Sequence, residues 1–134
     1  MKKSILILFT LIFSVYHSNS QSANIVRITK TQIITPDTIS IDTLEKGAQT
    51  FIKIIIKNDR QNDIEIKNIK TPPGTGATIK NTILKPKSQT ELFVGFDSNW
   101  MDVSGHFVYK IVLETNLIKP IEINVKGFVA ENND

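Results

Sequence analysis

The sequence predicts an all-β protein: an antiparallel β-sandwich of about seven strands. Three observations predict it. The apolar residues are mostly β-branched and recur at period two, the spacing that sends alternate side chains to opposite faces of a strand. Turn signals return at intervals of roughly 8–15 residues. After the first twenty residues, no segment carries apolar residues three and four apart with a polar face opposite, as an amphipathic helix would. Two sheets packed over one core satisfy this pattern. A small barrel shares the periodicity and is the competing architecture.

The chain opens Met1-Lys2-Lys3, runs apolar from Ile5 to Val15, and reaches Ser18-Asn19-Ser20 before Gln21. A positive start, a short apolar stretch and small residues before a cut are the parts of a secretory signal peptide, residues 1–20. The alternatives are a buried N-terminal helix or an uncleaved anchor. The apolar run is too short to span a bilayer, which takes about 20 residues. Residues 21–134 then form one domain, long enough to bury its own core. No transmembrane segment is expected there. Lys2 and Lys3 account for two of the 16 basic residues, and the other 14 nearly balance 13 acidic ones. The basic pI is therefore partly the leader's and gives no argument for nucleic acid. The chain has no cysteine, which excludes thiol catalysis, haem attachment, cysteine-ligated zinc and lipid anchoring through a cysteine.

Taken in order, Asn24 to Ile34 reads as an edge strand, with Arg27 and Lys30 discouraging edge-to-edge association. Pro36 breaks it. Thr38 to Ile41 is a short strand, and Asp42 to Gly47 a turn. Thr50 to Asn58 is the central strand. Ile52, Ile54 and Ile56 share its core face, while Lys53 and Lys57 lie opposite with Phe51 and Ile55, which the lysine stems partly cover. A polar turn, Asn58 to Asp63, leads to a strand marked by Ile64, Ile66 and Ile69. Thr71 to Ala77 holds two prolines and two glycines and reads as an irregular connection, followed by a short strand from Thr78 to Lys80. After a turn at Leu84 to Ser88, Leu92, Val94 and Phe96 share one strand face. Asp97 to Gly105 is a loop holding Trp100, the chain's single tryptophan. Phe107, Tyr109, Ile111 and Leu113 alternate in the next strand. Ile121, Ile123 and Val125 mark the last, closed by Gly127-Phe128-Val129.

The order of these landmarks resembles a known family, the immunoglobulin-like bacterial envelope domains of unknown function related to Hydin-type and major-sperm-protein-like sandwiches. Asp42 to Gly47 stands where that family has a turn of the form G-[ST]-[IV]-x-x-G. Phe51 to Asn58 is similar to its strand ending in Asn, and Leu84-Lys85-Pro86-Lys87-Ser88 to its I-x-P-G-x. Leu92 to Asp97 matches I-x-V-x-F-D, and Gly105-His106-Phe107 matches G-x-F. Glu114-Thr115-Asn116 and Val125 to Val129 follow its last two motifs. The likeness covers residues 37–129. Two departures stand out. The family's C-G-C-T after the third strand is replaced by Thr71 to Thr78, without cysteines, and Lys87 stands where glycine is usual. The resemblance implies an immunoglobulin-like sandwich in the cell envelope.

Candidate chemistry is sparse. His106 is the one histidine beyond the leader, and a metal site or nucleophile–base pair needs further partners. Gly74-Thr75-Gly76 with Lys80 lacks the Gly-Lys-Ser/Thr of a phosphate loop. Asp97, Asn99 and Asp102 offer oxygens without the spacing of a calcium loop. No catalytic residue, cofactor or metal site is expected, and the chain reads as non-enzymatic. Trp100 and Met101 are two large apolar residues in a polar loop, either a lid on the core or a contact surface. Thr38 and Thr43, in Asp-Thr-Ile and Asp-Thr-Leu, resemble the acceptors of a bacterial O-glycosylation system. These features lead to two expectations. One is a secreted or periplasmic module that binds another envelope or secreted protein through its sheet edges and loops. The other is a sandwich that binds a small ligand or glycan on the Trp100 loop.

Overall fold

The computed structural model describes residues 24–131. The signal peptide expected at residues 1–20 lies outside them. Eleven strands are present: β1 (Asn24–Ile28), β2 (Ile33–Ile34), β3 (Ile39–Ser40), β4 (Leu44–Glu45), β5 (Gln49–Asn58), β6 (Ile64–Lys70), β7 (Thr75–Ile79), β8 (Ile83–Leu84), β9 (Gln89–Asp97), β10 (Gly105–Thr115) and β11 (Ile121–Ala130). Seven have five residues or more; β2, β3, β4 and β8 are two-residue pieces. The first sheet runs β2-β1-β5-β9-β7. The second runs β3-β11-β10-β6-β8, with β4 also on β11. The chain is an immunoglobulin-like β-sandwich.

Alternation builds the core. Ile54 and Ile56 of β5 and Leu92, Val94 and Phe96 of β9 are buried from one sheet. Ile111 and Leu113 of β10 and Ile121, Ile123, Val125 and Val129 of β11 are buried from the other. Burying each such aliphatic side chain contributes about 1.5–3 kcal/mol. The opposite face of β5 is open, and Phe51 is 71% exposed rather than covered by lysine stems.

Two expected turns hold short strands: β4 (Leu44–Glu45) lies inside Asp42 to Gly47 and pairs with β11, and β8 (Ile83–Leu84) takes in the first residue of Leu84 to Ser88 and pairs with β6. Two larger differences from the sequence reading lie elsewhere. The expected edge strand over 24–34 is two strands, because the chain reverses at Thr29 to Gln32. The Thr29 N–H donates to the Gln32 carbonyl at 2.9 Å, and the Thr29 hydroxyl accepts from Gln32 N at 3.1 Å. A threonine-capped turn needs neither glycine nor proline, so the usual punctuation is absent. β1 is therefore internal and runs parallel to β5, with Val26 opposite Ile56; β2 takes the edge. The second difference is β7, which starts three residues before the expected Thr78 and includes Gly76. It pairs with β9 alone, at the edge of the sheet, where glycine is tolerated. The parallel pairs are β1–β5, β3–β11 and β4–β11; the long strands otherwise pair antiparallel.

Asn58 closes the end of β5 and is completely buried. Its Nδ2 donates to the carbonyls of Leu84 at 2.9 Å, Asn62 at 3.0 Å and Lys85 at 3.2 Å, and its Oδ1 accepts from Arg60 N at 2.9 Å. One side chain thus ties the β5–β6 turn to the turn after β8. Lys87 in that second turn sits at φ 63°, left-handed backbone, at the position where glycine is usual in the resembling family.

Candidate functional site

The loop after β9 is a fastened turn. Asp97 Oδ1 accepts from Asn99 N at 3.0 Å, and the Asp97 carbonyl accepts from Trp100 N at 3.0 Å and Met101 N at 3.1 Å. Ser98 is buried and holds the turn to the β4–β5 connection. Its hydroxyl donates to the Glu45 carbonyl at 2.9 Å and accepts from Gly47 N at 2.6 Å. The backbone beneath Trp100 is therefore set by side chains and carbonyls of two segments, Glu45–Ala48 and Asp97–Ser98.

This anchoring separates the two residues singled out in the sequence. Met101 is 4% exposed and belongs to the core, so it offers no contact surface of its own; Trp100 is 75% exposed. Gly74 packs directly against the inward residue. It has φ +77°, and a Cβ there would collide with the Met101 backbone nitrogen and lie 2.6 Å from its Cα and Cγ. The glycine lets the Pro72-Pro73-Gly74 crossing lie close against Met101.

Trp100 overlooks a trough on the outer face of the first sheet, an open space of about 630 Å³. Phe51, Gly95 and Gly76 lie in one register row across β5, β9 and β7. The two glycines leave the floor as bare backbone: a Cβ on Gly76 would meet nothing within 4 Å, and one on Gly95 only the Thr50 carbonyl at 3.9 Å. The next row holds Gln49 and Asp97, whose side chains are joined by Gln49 Nε2 donating to Asp97 Oδ2 at 2.9 Å.

The second feature is an open sheet edge, which sequence reasoning could not locate because pairing is non-local. Ile41 N donates to the Lys126 carbonyl and Lys46 N to that of Ala130, so the even-numbered residues of β11 turn their backbone groups toward β3 and β4. The odd-numbered ones face β10, whose own odd residues are their register partners: Phe107 with Gly127, Tyr109 with Val125. The backbone groups of His106, Val108 and Lys110 consequently point the other way. β6 reaches β10 only at Val112 and beyond, because the chain leaves this sheet after Lys70. Among the described residues no strand pairs with that side of His106, Val108 or Lys110. Val108 is also 67% exposed.

The remaining candidates are dispersed. Thr38 and Thr43 are exposed and directly precede buried Ile39 and Leu44, which seat β3 and β4 on β11. The Thr38 hydroxyl donates to the Asp37 carbonyl at 2.7 Å. His106 is exposed and meets the Phe128 ring edge-on at 4.7 Å. Partial burial, helped by the Asp102 carboxylate, raises the Tyr109 phenol above its ordinary value, against a hydrogen bond from the Asp102 backbone. Hydrogen bonds from Lys70 and Asn68 hold Glu114 below the usual carboxylate range. Among the described residues no group of three or more His, Cys, Asp or Glu could hold a metal ion, and no helix is long and apolar enough to cross a membrane.

No protein-family model matches the sequence, and no curated protein matches it. Solved structures match its fold. A protein of unknown function from Porphyromonas gingivalis W83 aligns over 68% of this chain and 43% of its own, with 21% identity and a TM-score of 0.58. This chain thus spans less than half the length of that relative. The PapD-like domain 7 of human CEP192 (an ASH domain) aligns over 79% of this chain and 99% of its own, with 11% identity and a TM-score of 0.54. The secreted serine protease VesC from Vibrio cholerae aligns over 88% of this chain and 25% of its own, with 11% identity and a TM-score of 0.53. At such identities the likeness is one of fold.

Proposed function

We propose that this chain is a non-catalytic interaction module of the bacterial envelope, of the Hydin and major-sperm-protein-like kind. Its N-terminal leader exports it to the periplasm or beyond. Its partner is another envelope or secreted protein, which adds an extended segment to the open side of β10. The observation that carries this reading is the run His106, Val108, Lys110, whose outward backbone donors and acceptors have no partner strand among the described residues. An unpaired strand edge is a template for a further strand, with backbone hydrogen bonds giving affinity and alternate side chains giving specificity. The exposed Val108 supplies an apolar contact at the centre of that run.

Proline at position 108 tests the reading. It removes an N–H that points away from β11, so the β10–β11 ladder is left intact while an incoming strand loses its central donor. The expected result is capture of a partner from the native envelope by the parent protein, loss of that partner with Val108→Pro, and unchanged far-UV circular dichroism. The partner should also slow amide exchange at His106, Val108 and Lys110. Equal capture by parent and variant, with no protection of these amides, would refute strand addition.

A further inference from the structure

We propose that the trough beside Trp100 is a binding subsite for a neutral saccharide chain, separate from the β10 edge. The argument starts from the walls. Trp100 and Phe51 are the two most exposed aromatic side chains among the large hydrophobics, at 75% and 71%, and both line the same trough. Large apolar rings left in water on an otherwise buried-core fold are unfavourable unless something covers them.

The floor narrows the class of occupant. Gly95 and Gly76 face each other on neighbouring strands, and with no side chains they make a flat strip of backbone. Two strand spacings, roughly 10 Å, separate β5 from β7, about the length of a disaccharide. The rim adds the polar part. Gln49 and Asp97 present a carboxamide and a carboxylate already bonded to each other, which fixes both in place beside the rings. Among the described residues no Lys, Arg or His lines the trough. An anionic ligand would meet only the Asp97 carboxylate, so the occupant is not an anion. A sugar ring fits these terms: its C–H face stacks on an aromatic ring, and its hydroxyls donate to a carboxylate and accept from an amide. The anchoring of Ser98 and Asp97 holds Trp100's backbone before any ligand arrives, which lowers the entropy cost of binding.

Trp100, the single tryptophan in the sequence, is also the reporter. Cellohexaose, laminarihexaose, mannohexaose and chitohexaose are titrated against the full protein while its emission is followed. At least one is expected to give a saturable change in emission. Two variants then locate the site. Trp100→Ala, followed by calorimetry, should weaken binding about tenfold, the loss expected when one stacked ring is removed. Gly95→Val should weaken it similarly by raising the floor. A Cβ there makes only an ordinary contact, with the Thr50 carbonyl at 3.9 Å, and valine suits a strand, so thermal stability should be unchanged. Silence toward all four sugars up to about 10 mM, beyond the weakest affinities a few contacts supply, would overturn the proposal. So would binding that survives both variants. A response to an aromatic decapeptide with none to any sugar would assign the trough to protein and likewise overturn it.

Discussion

Replacing Asn58 by alanine should be among the most damaging single changes available to this domain. The side chain makes four hydrogen bonds, three donated to carbonyls of Asn62, Leu84 and Lys85 and one accepted from Arg60 N. The bond to Leu84 is fully buried; the others are partly so. Alanine fills none of these roles. A buried group left without a partner costs about 1–3 kcal/mol, and a bond whose partners water can reach about 0.5–1.5 kcal/mol. The whole change is therefore worth about 3–5 kcal/mol, against a total stability of about 5–15 kcal/mol for a domain. With a urea dependence of roughly 1–2 kcal/mol per molar, the unfolding midpoint should fall by about 1.5 M or more. Far-UV circular dichroism in urea is the assay, with Ile118→Ala as the control, since Ile118 is fully exposed. Asn58→Asp should be at least as harmful, because it loses both N–H donors that serve the three carbonyls and buries a charge. An unfolding free energy for Asn58→Ala within about 1 kcal/mol of the parent, the ordinary range of point substitutions, would refute the idea that this side chain joins the two turns.

Three further outcomes are expected. Gly127→Ala should destabilise by about 1–3 kcal/mol, because the new methyl would lie 2.7 Å from Ile41 Cγ1 and 2.8 Å from Phe107 Cζ; calorimetric melting checks it. Lys87→Gly should stabilise slightly. It relieves a left-handed backbone worth about 1–2 kcal/mol in a non-glycine residue, less about 0.5–1 kcal/mol of added chain entropy; urea titration of the pair would show a lower midpoint for the variant if this is wrong. For Tyr109, the fold favours the neutral phenol, so its contribution is complete below the unfolded pKa near 10 and is lost as pH rises through the raised folded value. Stability at pH 11 relative to pH 9 should accordingly fall more in the parent than in Tyr109→Phe, and equal falls would count against that environment for the phenol.

The long strands were legible because alternation is a local signal. Ile54 and Ile56, Leu92 to Phe96 and Ile121 to Val125 could be assigned to one face from spacing alone, and the structure buries them. The Thr29–Gln32 reversal was not, since a threonine hydroxyl does the work usually announced by glycine or proline. Lys87 was legible in another way: a position where a family uses glycine is one where backbone geometry matters, and it is the only non-glycine residue with positive φ among those described. The pair Trp100 and Met101 could not be resolved from the sequence. The inward Met101 packs against Gly74, which is far away in the chain. The open side of β10 is equally invisible locally. It arises because β6 stops at Lys70 and the chain crosses to the other sheet.

The parallel pairing of β1 with β5 has a consequence for how the molecule comes together in time. Two neighbouring strands that run the same way cannot be joined by a tight turn. Here the connection leaves the first sheet after β2, lays β3 and β4 along β11 of the second, and returns to begin β5. Residues 29–48 are thus threaded through both halves. The first sheet gains β1 only by a connection that is itself seated on the second, whose last strand is made from the far end of the chain. Neither sheet is assembled from one continuous stretch of chain. Such non-local closure places folding in the millisecond-to-second range rather than among the microsecond folders. It also makes opening an all-or-none event, in which both sheets part together.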